Sequence, residues 1–574
     1  MRNPFSYNRN TAIINFSAHY CDSGEKLLNS QGFRKILVQY IERYKKRHRR
    51  AFEKLARCSR EFSFTEYILS ILKMLLGLEV EDIILYNENE EELFKHREEL
   101  IEFVEGLYNF WRRIERYSVI YNRYYGEGLQ KVNFIEAIDK FNNLILSVYR
   151  TILHKLSDER IRIFRQLNAG VNAAVVLQKV TWSNKENFSG LSRVLFIDAI
   201  ILNPPFIMYP KQNKRESIFV EVENNPLKGL KLSREEWFCY PALVGHSLAY
   251  IYFHKDFMSQ GISLGNLFEL APLEMCKNRE PDLIYIFGHK DDESKTVYYH
   301  DQEMNQLIGY ASYDDAFDYF GYLKKMILTL HNVRMIEQEK LPIHGAMVNL
   351  KLYNGKEKNL VIIGDSGAGK SESLEALRVL SGDYIKDMKI IFDDMGTFSI
   401  EGDQIVAYGT ETGAFIRLDD LDIGYAYRQI DRSIFMNPDR VNARVVLPVT
   451  TYSDIIKGYP IDLVLYANNY EDGDELEFFE DVEQAKEVFI RGARRAKGTT
   501  SEQGLVESFF ANPFGPLQRE TQTRTLINRY FDLLYEKNIK VGQIRTRLAL
   551  PGHEQDGPMR VAEKLFHYIC QEAF

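Results

Sequence analysis

The residues with the plainest chemical potential lie in the run Val361-Ile-Ile-Gly-Asp-Ser-Gly-Ala-Gly-Lys-Ser-Glu-Ser-Leu374. Gly364, Asp365, Ser366, Gly367, Ala368, Gly369, Lys370 and Ser371 fit G-x-x-x-x-G-K-[ST], the spacing of a phosphate-binding loop. Gly364, Gly367 and Gly369 have no Cβ, so the backbone can curl and aim its N–H groups at a phosphate chain. Lys370 offers a charge to β- and γ-phosphates, and Ser371 a hydroxyl to Mg²⁺. Glu372 to Val379 has helical apolar spacing, and the start of that helix adds its positive dipole end. Val361 to Ile363 reads as the end of a buried strand. Strand, glycine loop and helix in that order are the context the motif requires. These residues predict binding of ATP, another nucleoside triphosphate or pyrophosphate.

A second set of chemical groups follows. Lys389 to Phe392 reads as a short apolar strand ending in Asp393-Asp394. After a phosphate loop, such a carboxylate pair holds Mg²⁺ directly or through water, and orients a nucleophile or a second metal. Ile405 to Tyr408 and Arg444 to Val449 read as further strands.

These elements belong to a chain of 574 residues, long enough for three or so cores. The predicted architecture is α/β in three parts: a helical region 1–165, a mixed α/β domain 166–335 on the substrate side, and a nucleotide-binding domain 336–574. In the first part Leu27 to Leu55, Phe64 to Leu78, Glu91 to Tyr124 and Phe134 to Leu156 carry apolar residues at helical spacing. It offers no chemistry of its own, and helical packing, self-association or docking of a protein partner are open. Lys45-Lys-Arg-His-Arg-Arg50 reads as a solvated helix face. In the second part Ala173 to Leu177, Val194 to Leu202, Ser217 to Val222, Leu248 to Phe253 and Leu283 to Phe287 read as strands between loops at Asn203-Pro-Pro205 and Asn224-Asn-Pro226. His246 and His254 read as structural. The net charge of −8 argues against nucleic acid as a partner. No apolar run has membrane-spanning length, and five widely spaced cysteines read as reduced core thiols. The expected location is the cytoplasm.

Seven segments in order resemble phosphoenolpyruvate carboxykinase, chiefly its ATP-dependent branch, over about 319 to 574. Tyr319-Phe-Gly-Tyr-Leu-Lys-Lys325 is similar to the family's aromatic-x-G-E-M-K-K segment, with Tyr322 in place of its glutamate. Leu341-Pro-Ile-His344 resembles the segment ending in the metal-binding histidine, nineteen residues after Lys325 as in the family. The phosphate loop and Phe392-Asp-Asp394 follow. Thr410-Glu-Thr-Gly-Ala-Phe-Ile-Arg417 resembles F-E-G-G-C-Y-A-K, and Asn442-Ala-Arg444-Val resembles N-T-R-V. Lys497-Gly-Thr-Thr-Ser-Glu-Gln-Gly504 with Asn512-Pro-Phe-Gly515 resembles the mobile lid and its sequel.

The resemblance implies that Lys325, His344 and Asp394 ligate a transition metal, typically Mn²⁺, with Asp393 beside them. Lys370 and Ser371 would hold the nucleotide phosphates and Mg²⁺, Ser366 would lie where the γ-phosphate passes, and Arg444 would offset charge on the transferred group. Lys497 to Gly504 would close over the site. The implied reaction converts oxaloacetate and ATP to phosphoenolpyruvate, CO₂ and ADP, in a cleft between the last two domains. Singly, Lys325 reads equally as a buried paired lysine and His344 as a core histidine.

Two departures leave the acceptor open between a small carboxylate and a hydroxyl. The family's G-R-S-P-K-D segment, whose arginine grips the dicarboxylate, has no counterpart in 1–318, where Arg193, Lys211, Lys214 or Arg215 could supply charge. The loop Gly-Asp-Ser-Gly-x-Gly-Lys-Ser-Glu and His344-Gly345 are closer to HPr kinase/phosphorylase, in which the aspartate after the loop is the base for a serine hydroxyl. That role would fall to Asp394 or Asp393. A nucleotide-sensing module without turnover is the third possibility.

Overall fold

The computed structural model describes residues 3–8, 10–59, 62–121, 128–157, 170–183, 188–215, 218–291, 293–380, 385–418, 429–496, 504–553 and 556–571. The fold is mixed α/β, 40% helical and 30% strand. Its contacts divide into two compact units, Met1–Gln178 with Ile197–Asn203, and Lys179–Phe196 with Pro204–Phe574. Among the described residues no helix is long and apolar enough to cross a membrane. Cys21, Cys239 and Cys276 are buried free thiols, whereas Cys58 and Cys570 are only half-buried.

In the first unit, helices Gln31–Arg47, Phe64–Gly77, Arg97–Arg113 and Gly128–Ser157 gather around one core that includes Leu37, Ile68, Leu72, Phe103 and Ile152. Helix Phe64–Gly77 starts at a serine N-cap. The Ser63 hydroxyl accepts the Glu66 N–H at 3.3 Å, and Ile68, Ile71, Leu72 and Leu75 form its buried stripe. This part of the chain is not wholly helical, however. Phe5–Asn8 and Thr11–Asn15 form an antiparallel pair, and Glu115–Tyr121 and Ala173–Gln178 extend it in parallel. The helical reading of Glu91 to Tyr124 therefore fails over its last third. Tyr117-Ser-Val-Ile-Tyr121 is β-branched and aromatic, and these side chains pack better on a pleated surface than on a helix.

Strand Glu115–Tyr121 also carries a buried guanidinium, that of Arg116, which has no carboxylate partner among the described residues. Arg116 donates to the carbonyls of Gly170, Trp111, Arg112 and Ile114 at 2.6–2.7 Å. Burial pushes it down to about 10. Arg116→Ala removes a donor from each of those buried carbonyls, of which that of Trp111 keeps the Ile114 N–H, and is expected to destabilise the protein by about 3 kcal/mol, read by chemical denaturation.

The second unit contains the predicted chemistry. One of its sheets is built on the antiparallel pair Trp237–Val244 and Ser247–His254, continued in parallel by Leu283–His289 and Gln306–Ser312. Of the expected strand Ser217 to Val222, only Val220–Glu221 is a strand; Ser217 lies outside the described residues and Ile218 and Phe219 are irregular.

The other sheet carries the chemistry, and its elements are labelled here. Helix α1 is Phe320–Glu337, β1 Leu341–Leu352, β2 Glu357–Ile363, α2 Lys370–Leu380, β3 Ile385–Glu401, β4 Leu463–Asn468 and β5 Lys540–Arg545. The order β3-β1-β2-β4-β5 is antiparallel up to β2 and parallel from β2 onward. Period-two alternation divides the core between its faces. Met347, Val361 and Ile363 join Phe489 and Phe531, while Val348, Leu360 and Ile362 join Leu374 and Leu377 of α2.

Helix α1 is buried nearly all round, as expected of a helix apolar on every face, and packs against both sheets. Residues 335 and 336 lie inside it.

Strand β3 differs from its sequence reading. It does not end at Asp393-Asp394 but runs seventeen residues, because Met395-Gly-Thr-Phe-Ser-Ile400 continues as a good strand paired with Gln404–Gly409. The two aspartates therefore sit mid-strand.

Candidate functional site

Strand β2, the glycine loop and helix α2 follow one another as the motif requires. Gly367 and Gly369 have φ of +80° and +99°, values that side chains resist, and a Cβ on Gly369 would lie 2.7 Å from Thr546. Gly364 is needed for closeness instead, packed between Ala368 and Ala467. The loop carbonyls are fastened from the ends of neighbouring strands. Asn469, just after β4, donates to the Gly367 carbonyl at 3.0 Å, and Thr546, just after β5, donates to that of Ala368 at 2.8 Å. The Lys370 ammonium donates to the carbonyls of Gly364 and Asp365 at 2.7 and 3.1 Å. Ser366 is exposed at the loop, and Glu372 lies in the first turn of α2.

Asp393 and Asp394 diverge. The Ser371 hydroxyl donates to Asp393 at 2.9 Å, and burial raises that carboxyl above its ordinary range despite the bond. Asp394 has φ of +154°, and its carboxylate meets α1 and β1 instead. One oxygen accepts from Lys324 at 2.6 Å and from Lys325 at 2.8 Å, and the other lies 2.8 Å from His344 Nε2. Burial works against its charge, but Lys324, Lys325 and His344 hold it well below the usual carboxylate range.

The two lysines are not equivalent. Lys324 has no exposed surface and also pairs at 3.0 Å with the equally enclosed Glu411, so it lies behind Asp394. Lys325 and Asp394 keep 15% and 18% of their side-chain surface open. Burial opposes the Lys324 charge, yet Asp394 and Glu411 outweigh it and raise its proton affinity. Burial lowers Lys325 below the ordinary lysine range, with Lys324 adding to the effect against the pull of Asp394. Burial and the charge of Asp394 push Glu411 up to about 7 against the pull of Lys324.

His344 sits in a hydrogen-bonding conflict. Its Nδ1 lies 2.7 Å from the Ala511 carbonyl, which only accepts, so Nδ1 carries the hydrogen. In the neutral ring Nε2 is then a lone pair facing a carboxylate at 2.8 Å. A proton on Nε2, or a cation held by both atoms, resolves the clash. Burial and the nearby Lys370 lower the histidine's proton affinity, which weighs against the proton. The Ala511 carbonyl is offered by a strained turn, since Phe510 and Ala511 have φ of +53° and +50°. Gly345, next to His344, allows β1 to approach β2, because a Cβ there would lie 2.6 Å from the Ile362 carbonyl oxygen. Asp365 caps the Ser366 N–H at 2.7 Å and pairs with Arg494 at 2.7 Å. Burial opposes its charge, and His344 and Arg494 prevail to keep it low.

No family model matches the chain, and no curated protein matches it in sequence. Lys325, His344 and Asp394 are brought into one contact network, and Ser371 and Asp393 into another. Arg444 reaches the first through an aromatic ring, its guanidinium 5.5 Å from the centre of Phe415 and the Lys324 ammonium 5.8 Å from the same ring. Residues 497–503, most of the expected lid, lie outside the described residues. Their flanks Ala493–Arg495 and Leu505–Glu507 pair antiparallel.

Several participants were not singled out from sequence. Arg494, Asn469, Thr546 and the Ala511 carbonyl carry no local motif, and Lys324 stood only inside a family-like string. Glu411 and Phe514 stood only inside family-like strings. Phe514 is notable, since its ring centre is 4.6 Å from Lys325 Nζ and 5.0 Å from the Arg215 guanidinium. Burial lowers Arg215 below its ordinary range. Of the four basic residues considered for gripping an acidic substrate, Arg215 is the one that shares an aromatic ring with Lys325. Lys211 instead pairs with Asp315.

Proposed function

We propose that the second unit transfers the γ-phosphoryl group of a nucleoside triphosphate, ATP by preference, to a small acidic acceptor, in the manner of phosphoenolpyruvate carboxykinase. The observation that carries this reading is the convergence of Lys325, His344 and Asp394 beside a glycine loop and helix start. These residues fit a divalent metal such as Mn²⁺, because the opposed lone pairs of His344 Nε2 and Asp394 call for a cation and Lys325 is the more open lysine. When bound, the metal would act as a Lewis acid toward oxygens of the reacting groups. Ser371, tied to Asp393, would hold Mg²⁺ on the nucleotide.

The chain's own residues supply the rest. Lys370 would leave the Gly364 and Asp365 carbonyls for the phosphates, to which it presents a full charge rather than a dipole. Lys324, itself paired with Glu411, holds Asp394 from behind, fixing its direction. Arg215, on the aromatic ring that it shares with Lys325, would supply cationic charge for a carboxylate acceptor, which favours this reading over a neutral hydroxyl. In the reaction the bond between the γ-phosphorus and the β-bridging oxygen breaks, and one to the acceptor's enolate oxygen forms as CO₂ departs. Arg444 would neutralise charge on the transferring group.

The test is phosphorus NMR of the purified chain with Mg²⁺, Mn²⁺, ATP and oxaloacetate. Phosphoenolpyruvate is expected, and its loss in His344→Ala. ATP consumed only when cell extract is added would replace this reading with a kinase acting on a hydroxyl. ATP bound with no turnover would leave a nucleotide-sensing module.

Metal affinity carries a pH signature. A lysine binds metal only as the neutral amine, so the proton competes below its pKa. Because the Lys325 pKa is lowered, competition fades at less alkaline pH than for an ordinary lysine. Mn²⁺ affinity is expected to rise by about tenfold per pH unit below that pKa. Electron paramagnetic resonance of free Mn²⁺ measures it, and Lys325→Met should flatten the slope.

A further inference from the structure

The first unit contains a cavity of about 150 Å³ between its strand pair and helices, far in sequence from every residue discussed above as chemical. Among the described residues its wall carries no Asp, Glu, Lys or Arg. Its polar groups are His19 and Gln31, both exposed and therefore at the rim, Ser30, whose hydroxyl already caps the Phe33 N–H at 3.1 Å, the Tyr149 hydroxyl, which donates to Glu105 at 2.6 Å, the Tyr108 hydroxyl and the Trp111 indole. The Cys21 thiol is directed to the Lys26 carbonyl at 3.7 Å. Inside, aromatic rings set the shape. Phe16 and Phe141 meet edge to face at 5.3 Å, and Tyr108 stacks on Tyr149 at 3.6 Å.

A cavity of this size lined by aliphatic and aromatic side chains stays dry and accepts a benzene-sized guest, because water would find too few polar partners there. We propose that this cavity is a binding site for an uncharged, ring-sized hydrocarbon group, with any polar end of the ligand directed to the rim at His19 and Gln31. The aromatic walls offer edges and faces to a planar ring. No group in the interior compensates a buried charge, so an ionised ligand of the same size is excluded. The proposal is independent of phosphoryl transfer, since its residues all lie in the first unit.

The probe is benzene, titrated into the full-length chain with ¹³C-labelled isoleucine methyl groups. Saturable shifts are expected at Ile36, Ile145 and Ile152, which line the cavity. Ile145→Trp fills the space and should weaken binding by at least about tenfold, with Val148→Phe as the second filler should the first not fold. Benzoate should bind at least about tenfold more weakly than benzene. Shifts that do not saturate, or that persist unchanged in a folded filled variant, would overturn the site. Equal affinity for benzoate would overturn the assignment of an uncharged ligand.

Discussion

Lys370→Ala is expected to slow ATP turnover by about 10²–10³-fold while leaving the unfolding midpoint nearly unchanged. The two halves of this expectation have one origin. Among the described residues Lys370 Nζ bonds the carbonyls of Gly364 and Asp365, acceptors of the loop itself, and no hydrogen bond to a distant element depends on it. In the proposed phosphoryl transfer, by contrast, that ammonium would face charge that grows along the reaction. A point charge there is worth far more than in solvent. Steady-state turnover and thermal unfolding of the same preparation measure both halves. A large fall in stability with unchanged turnover would assign Lys370 to the fold rather than to the nucleotide.

The paired lysines provide the second large effect. Lys324→Met is expected to destabilise the protein by about 3 kcal/mol, and Lys325→Met by about 1 kcal/mol or less. Lys324 is enclosed and lies between Asp394 and Glu411, so its removal leaves Glu411 buried beside another carboxylate. Glu411 already sits at about 7 and would take up a proton, which caps the penalty. Lys325 is partly open, and without it Asp394 still has Lys324 and His344. Chemical denaturation distinguishes the two variants. Adding Glu411→Leu to Lys324→Met should recover much of the loss, because it removes the orphaned acid. The reverse order of stabilities would mean that Lys325, not Lys324, is the structural counter-ion.

The legible part of the site was local. The glycine loop is a contiguous string whose spacing is itself the mechanism, and α2 followed where its apolar period placed it. Lys325, His344 and Asp394 came from the order and spacing of short strings. Their contact network arises because α1, β1 and β3 are neighbours. What escaped notice is held by contacts between distant parts of the chain. Asn469 and Thr546 follow parallel strands, and nothing around them marks the loop they fasten. Glu411 was visible, but its importance depends on burial beside Lys324, which no spacing reports. Strand Glu115–Tyr121 was lost inside a helical pattern, because Leu107, Trp111 and Ile114 keep the three-and-four period up to its first residue.

The fastening of the loop has one more consequence. Its carbonyls at Gly367 and Ala368 are already fixed to the ends of β4 and β5 by Asn469 and Thr546. An anion arriving at the start of α2 therefore meets a loop that has little folding left to do. Its association should then show a small heat-capacity change and a small entropic penalty, because little apolar surface is buried and few side chains are ordered. If the loop binds phosphates as proposed, its backbone would need little ordering beyond the swing of Lys370, and selectivity among anions would rest on charge and shape.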